Sequence, residues 1–303
     1  MRKVIDAHVH LVQEIAGTGA DGALRPIGGG KAQYDDGKII TLIPLQFGEY
    51  QATPEDVLKE MDANGVEKAV CLQGNYIGYQ NLYTYEASQK YPDRFLASVS
   101  YDPFSRNRDE IVRHFFEELK IPVVKWEVST GSGLMANHRT LPLDGEIMKP
   151  EFEYADEHGL VFVIDIGKLG SESSQIPALR RMILEHPTMH VIVCHLLAPR
   201  QDQRKEMKEG LRALKLPNVW FDLASLSHNV RPDEPPYPVT RSFVRDAIDI
   251  LGADRLIFGT DLPSNLVRNT YRELINIYEE APELSEDEKQ LILHDNAVTA
   301  YFK

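Results

Sequence analysis

The sequence predicts an α/β fold, a single (β/α)8 barrel, and three observations carry that expectation. Eight short apolar runs recur along the chain. Helix-like stretches separate them. Polar or ionisable residues close nearly every run. Alternating strand and helix patterns signal a parallel sheet covered by helices. A doubly wound open sheet shares that alternation. The polar closures decide between the two, because the C-terminal strand ends of a barrel meet at one mouth, where sites are built. Here those ends carry His8 and His10, Gln73, Asp102, Lys125 and Glu127, Asp165, His195, Asp222 and Asp261.

The expected strands are 3–9 (KVIDAHV), 68–73 (KAVCLQ), 95–101 (FLASVSY), 121–127 (IPVVKWE), 160–166 (LVFVIDI), 190–196 (HVIVCHL), 218–224 (NVWFDLA) and 256–261 (LIFGTD). Each is rich in Val, Ile or Phe and bounded by polar, Gly or Pro residues. The best-marked helix begins at Thr53-Pro54-Glu55-Asp56, with an N-cap Thr, Pro at the first helical position and acids in the first turn. It ends at Asn64-Gly65, a C-cap signal. Further helices are expected near 81–91, 107–119, 147–158, 175–186, 203–214, 240–251 and 265–279, with an extra C-terminal helix near 285–301. Residues 11–52 break the rhythm. This insert after the first strand far exceeds the usual βα loop of about 2–6 residues. Its apolar tail, IITLIPLQF, predicts a partly ordered lid over the mouth.

The length of 303 residues suits one barrel, so residues 1–303 are expected to form one domain. The formal net charge of -13 argues against non-specific nucleic-acid binding, which needs basic surface. No run approaches the ~18 consecutive apolar residues that a membrane helix needs. No apolar leader precedes the first strand, so a cytoplasmic setting is the default expectation. Cys71 and Cys194 lie in apolar runs and read as core thiols rather than a disulfide.

Residues two apart on a strand point to one face. His8 and His10 therefore share a face, and Asp6 is expected on it too. Inside a barrel such imidazoles need water, hydrogen-bond partners or a metal, because burying them unpaired is costly. Imidazole suits zinc, iron and nickel, and carboxylates extend the range to manganese and magnesium. His195 closes VIVCH and Asp261 closes LIFGTD, which brings both to the same mouth. An aspartate there can ligate a metal and accept a proton from water. A histidine across the mouth can polarise a carbonyl or move protons.

The set HVH at strand one, VCH at strand six, GTD at strand eight and HDNAVTAYF at the C-terminus resembles the amidohydrolase superfamily. It is most similar to the branch often called amidohydrolase 2, which includes the aminocarboxymuconate-semialdehyde decarboxylase-like enzymes. KWE and the later LPLDGEIMKPEFEYADEHGLVFVIDIG add to the resemblance, which runs from Val4 to Phe302. It implies one divalent metal ion, with zinc favoured, held by His8, His10 and Asp261. It also implies that Asp261 takes a proton from water and that His195 acts as an acid–base or carbonyl-polarising group. The family usually has a histidine ligand where VFVIDIG places Asp165. Asp165 as a ligand makes a harder site, open to manganese, iron or magnesium. The other reading of that departure is a weakened or absent metal.

Lys125 and Glu127 close strand four on one face, either as functional groups, with Lys125 holding a substrate carboxylate and Glu127 binding substrate or joining the metal site, or as a mutual ion pair. Arg200 in LLAPR and His228 in SLSHN are further substrate-binding candidates, each weighed against a plain solvated side chain. Asp222 is placed to orient a histidine from behind. His138 reads as solvated, and His294 as packing the last helix onto the barrel. The expected activity is metal-assisted hydrolysis of a small ester, lactone or amide. The alternatives are non-oxidative decarboxylation of a small unsaturated or aromatic acid, and a barrel that only binds a ligand. A small-molecule substrate is the expected partner, and the resemblance leaves a homodimer open.

Overall fold

The computed structural model describes residues 2–302. In chain order the strands are β1 (Val4–Val9), β2 (Gly17–Gly19), β3 (Gly22–Gly28), β4 (Lys31–Tyr34), β5 (Ile39–Thr41), β6 (Val66–Cys71), β7 (Phe95–Ala97), β8 (Val123–Glu127), β9 (Val161–Asp165), β10 (His190–Val193), β11 (Val219–Asp222) and β12 (Leu256–Ile257). Parallel ladders run in the orders β1-β6-β7 and β12-β11-β10-β9-β8. Bridges at Val99–Val124 and Val9–Leu262 join these two sheets at both seams. Backbone hydrogen bonds carry the seams: Lys125 N–H donates to the Val99 carbonyl and Asp261 N–H to the His8 carbonyl, each at 2.8 Å. All eight expected barrel strands are present. Several stop early: β7, β10 and β12 end before Asp102, His195 and Asp261, which lie just past the strands.

Alternation sorts the core into two layers. Ile5, Ala7, Val70, Leu72, Val123, Val163 and Ile192 fill the ring, and Ala300 and Tyr301 join them from the C-terminal helix. The larger cluster lies outside the ring, where Phe152 of the helix Lys149–Glu157 stacks on Phe162 at 4.4 Å between centroids. Thr53 caps the helix Pro54–Asn64 as its sequence predicts, and Gly65 ends it in a left-handed conformation. The helix expected at 265–279 divides into a short turn, Ser264–Val267, and a helix, Tyr271–Glu279. Thr270 and Glu273 form a capping box that restarts the helix there. The expected C-terminal helix widens into a π-turn at Leu291–Asp295, where the Ile292 carbonyl accepts the Phe258 N–H at 2.9 Å. Asn296 adds hydrogen bonds to the carbonyls of Ala253 and Leu256 at 2.7 and 2.8 Å. This helix therefore closes one end of the barrel.

The insert is more ordered than the partly ordered lid expected. Its strands form an antiparallel sheet in the order β2-β3-β4-β5. Leu24, Ala32, Ile43 and Phe47 are buried beneath it. Among the described residues, no helix is long and apolar enough to cross a membrane. Cys71 and Cys194 are buried free thiols, as expected.

Asp6 corrects the expected face assignment. The register of β1 against β6 shifts between Asp6 and Val9, and such a bulge re-phases side chains. Ile5 and Ala7 face the ring interior, so Asp6 faces the outer layer. There its carboxylate accepts hydrogen bonds from Tyr271 Oη at 2.7 Å, Thr260 Oγ1 at 2.6 Å, Thr260 N at 3.0 Å and His8 N at 3.1 Å. Burial still raises its pKa to about 6 against those donors. The carboxyl ties the first strand to the end of the eighth and to the helix outside them. Tyr271→Phe is expected to lower the unfolding free energy by about 1–3 kcal/mol, because it strips a donor from a buried acid. Urea unfolding measures this, and an unchanged midpoint would contradict the clamp.

Candidate active site

Polar strand ends converge on a cavity of about 950 Å³ at the mouth. His8, His10, Lys125, Asp165, His195 and Asp261 line it, with residues of the insert forming one wall. Gly259 helps bring the first and eighth strands together. A Cβ there would lie 2.7 Å from the Cβ of His8.

Both histidines of the first strand are oriented from behind. His8 Nδ1 lies 3.0 Å from Asp222 Oδ2, and His10 Nδ1 lies 2.9 Å from the Leu72 carbonyl. Those oxygens only accept, so each Nδ1 carries the hydrogen and each Nε2 is turned into the mouth. Burial pushes the His8 pKa down, against the pull of Asp222 and Asp261, which favours its neutral ring. His8 Nε2 and His10 Nε2 face the same oxygen, Asp261 Oδ1, at 3.7 and 3.1 Å. A bare imidazole nitrogen turned toward a carboxylate needs a proton or a cation between them. The ligand atoms of His8, His10 and Asp261 lie within 4.8 Å of one another, a set that fits a divalent ion. Burial works against the Asp261 charge, but His10, His8 and His195 hold its pKa well below the usual carboxylate range. Its other oxygen, Oδ2, accepts from Ser225 Oγ at 2.5 Å, and Asn265 Nδ2 donates to that hydroxyl at 2.8 Å. His8, Cys194 and Asp222 form a second convergent set. There Asp222 already engages His8 Nδ1, and burial drives the Cys194 pKa far up, so it stays a thiol.

His195 stands across the mouth. Its Nδ1 donates to the Ala224 carbonyl at 2.9 Å, which turns Nε2 toward Asp165 Oδ2 at 3.6 Å. Burial disfavours the imidazolium, but Asp165, Asp222 and Asp261 together hold the His195 pKa above the ordinary histidine value. The backbone here is unusual. His195, Leu196, Leu197 and Ala198 all have positive φ, from 46° to 70°. Ser225 and Asp261 share that conformation at φ 57° and 61°. L-residues occupy it at a steric cost.

Several residues sit differently from their sequence expectations. Asp165 stands outside the His8–His10–Asp261 set and faces His195, with its Oδ1 accepting from Gly167 N at 2.7 Å. Arg200 is exposed, pairs with Asp202 at 3.2 Å and does not line the mouth, because the left-handed turn carries the chain outward. Asp102 lies outside the mouth and binds His138 Nε2 at 2.7 Å, with that ring stacked on Phe104 rather than solvated. Lys125 and Glu127 do not pair with each other. Lys125 Nζ donates to the Gln73 carbonyl at 3.3 Å, whereas Glu127 accepts from Asn75 N at 2.9 Å and Ser132 Oγ at 2.6 Å. Both still line the mouth, as does His228 on its rim. Burial works against the Lys125 charge, but Cys194, Asp165, Glu127 and Asp222 around it hold its pKa above the ordinary value.

Sequence reasoning missed Ser225, Tyr76, Lys168 and Arg268. Tyr76 Oη lies 2.6 Å from Ser264 Oγ, above the edge of His10. Three of the four follow barrel strands closely, and that position was the available signal.

The amidohydrolase family model matches residues 5–303. A 4-sulfomuconolactone hydrolase of Hydrogenophaga intermedia is 24% identical over 248 residues, covering 80% of this chain and 77% of that protein. Solved structures share the fold. A probable 2-pyrone-4,6-dicarboxylic acid hydrolase of Acinetobacter baumannii, with citric acid bound, aligns at a TM-score of 0.72 and 14% identity, covering 99% of both chains. An amidohydrolase of Burkholderia multivorans with bound zinc aligns at 0.73 and 16% identity, again over 99% of both. A 2,6-dihydroxybenzoate decarboxylase from Rhizobium aligns at 0.57 and 18% identity, covering 82% of this chain and 88% of that one.

The charge balance at His195 is directly measurable. Its raised pKa belongs to the folded state, so His195 adds stability at low pH and loses it as pH rises through the folded value. Asp165→Asn is expected to lower the His195 pKa in an NMR titration of its ring and to shrink that contribution. An unmoved titration would mean that Asp165 does not act on His195.

Proposed function

Because the chain belongs to the amidohydrolase family, we propose that it is a metal-assisted hydrolase of a small lactone or ester. One observation carries the reading: His8 and His10 turn Nε2 onto the same oxygen of Asp261, with His195 facing them across one cavity. His8, His10 and Asp261 would hold the ion. Zinc is the ion we favour, since two nitrogens and one oxygen suit it and a Burkholderia relative binds it. A divalent ion there supplies Lewis-acid chemistry, polarising a carbonyl and acidifying water.

The chain's own residues do the rest. Asp261 takes the proton of the attacking water, while Ser225 and Asn265 hold its carboxylate at the right angle. His195, charged through more of the pH range than an ordinary histidine, donates a hydrogen bond or proton from Nε2 to the carbonyl oxygen or the leaving alkoxide. Asp222 keeps the His8 ring and the His195 backbone in register from behind. The insert wall limits water at the reacting end. The names of the Hydrogenophaga and Acinetobacter relatives, both lactone or pyrone hydrolases, support this substrate class. Decarboxylation is the second reading, because the same raised His195 pKa suits protonation of carbon and the Rhizobium neighbour is a decarboxylase. The buried free cysteines fit a reducing compartment such as the cytoplasm.

Elemental analysis of the purified protein tests the ion. We expect about one divalent ion per chain at a site of this ligand count, and loss of it in His8→Ala. Wild type holding no more metal than the variant overturns the assignment. Panels of lactones and aromatic acids, followed for acid release and carbon dioxide release, separate the two reactions. In the active assay Asp261→Asn and His195→Ala are each expected to lower kcat by about 10²–10⁴-fold.

A further inference from the structure

The mouth holds two cations that nothing neutralises. Lys168 follows β9 and Arg268 follows β12, and both line the cavity while remaining exposed. Neither side chain forms a hydrogen bond or an ion pair among the described residues. The chain as a whole is acidic, with Asp and Glu numbering 46 against 33 Lys and Arg. Lys38, on the insert side of the same mouth, is matched by Asp21 at 2.5 Å. Lys125, on the floor, is ringed by Asp165, Glu127 and Asp222. Among the described residues, only the rim pair presents unmatched positive charge to the cavity.

His228 belongs to the same neighbourhood. Arg231 Nη2 lies 3.0 Å from His228 Nε2. A guanidinium only donates, so Nε2 accepts and Nδ1 keeps the ring hydrogen. Burial, then Arg268 and Lys168, lower the His228 pKa, while Asp261 raises it and His195 lowers it further. His228, Lys168 and Arg268 line the same cavity as His195 and Asp261.

We infer that Lys168 and Arg268, beside a neutral His228 that donates from Nδ1, bind an oxyanion substituent of the substrate, a carboxylate or a sulfonate. The inference rests on the hydrolase reading for the rest of the substrate: a small lactone or ester whose carbonyl meets His8, His10 and Asp261. A guanidinium grips an oxyanion with paired N–H groups, and an ammonium adds a point charge. Arg268 lies after the last barrel strand, where barrel loops often hold anionic groups. The charge of -13 makes the rim pair more consequential, because the chain as a whole repels an anion and only local cations offset that.

Direct titration at low ionic strength tests this without turnover. The probes are isophthalate, 3-sulfobenzoate and the neutral isophthalamide. Wild type is expected to bind both dianions about tenfold or more tightly than the amide. Lys168→Gln with Arg268→Gln should weaken the dianions by about tenfold per cation lost. Lys205→Gln with Arg212→Gln, two exposed cations on the helix Arg204–Ala213, is the matched charge control and should not weaken them. Circular dichroism checks that each variant is folded. Preference for carboxylate over sulfonate, or the reverse, identifies the substituent. Equal binding of dianion and amide, or wild-type dianion affinity in the double variant, overturns the inference. The probes are not hydrolysed, so a wild type that cleaves lactones but binds dianion and amide equally refutes this inference alone. Dianion binding intact in a protein that cleaves none refutes the hydrolase reading alone.

Discussion

The mouth is organised around the carboxylate of Asp222. It is fully buried at the end of β11 and accepts from His8 Nδ1 at 3.0 Å, His195 N at 2.8 Å and Ala224 N at 3.1 Å. A buried carboxylate without partners is costly, and burial alone raises its pKa. Here His8 and His195, as hydrogen-bond and electrostatic partners, overcome burial and lower the Asp222 pKa to about 2. The charge that results fixes the tautomer of His8. The tautomer turns Nε2 toward Asp261, whose second oxygen is held by Ser225. Ser225 is held by Asn265, which also donates to the Thr260 carbonyl at 2.7 Å. The chain of contacts returns to the strand end that carries Asp261, so removing one member loosens several.

Around that core the charges are divided by depth. Lys125 lies on the floor among acids, and Glu127 braces a loop through Ser132 and the Asn75 backbone. His8, His10 and Asp261 form the convergent set, with the two histidines as buried as Lys125. The rim carries Lys168, Arg268 and His228. A substrate entering such a site passes the exposed rim cations before it reaches the buried histidines. That order favours a molecule with an anionic end and an electrophilic end.

Much of this was legible in the sequence. The eight apolar runs, the Thr53 cap and the three strand-end signatures HVH, VCH and GTD rest on local chemistry, which one chain shows directly. Asp222 was readable too, because a carboxylate ending a strand beside two histidines has few other uses. The errors share a different origin. Asp6 was misplaced because a bulge in β1 shifts the alternation, and no local residue marks it. Arg200 was misplaced because the turn after β10 is left-handed without a glycine. Asp165 was read as a ligand from its place in the family pattern, but its partner is set by where His195 points, a tertiary fact. Ser225, Lys168 and Arg268 have no motif. They become visible only when the loops after β9, β11 and β12 share one cavity.

The left-handed backbone at His195, Ser225 and Asp261 has an evolutionary consequence. Each of these L-residues is held where a β-carbon is unwelcome, at about 1–2 kcal/mol apiece. Glycine at the same positions would relieve that cost, so the fold and the chemistry pull these codons in opposite directions. A laboratory lineage selected only for heat resistance would drift toward glycine at these positions and lose, on the way, the side chains that line the mouth.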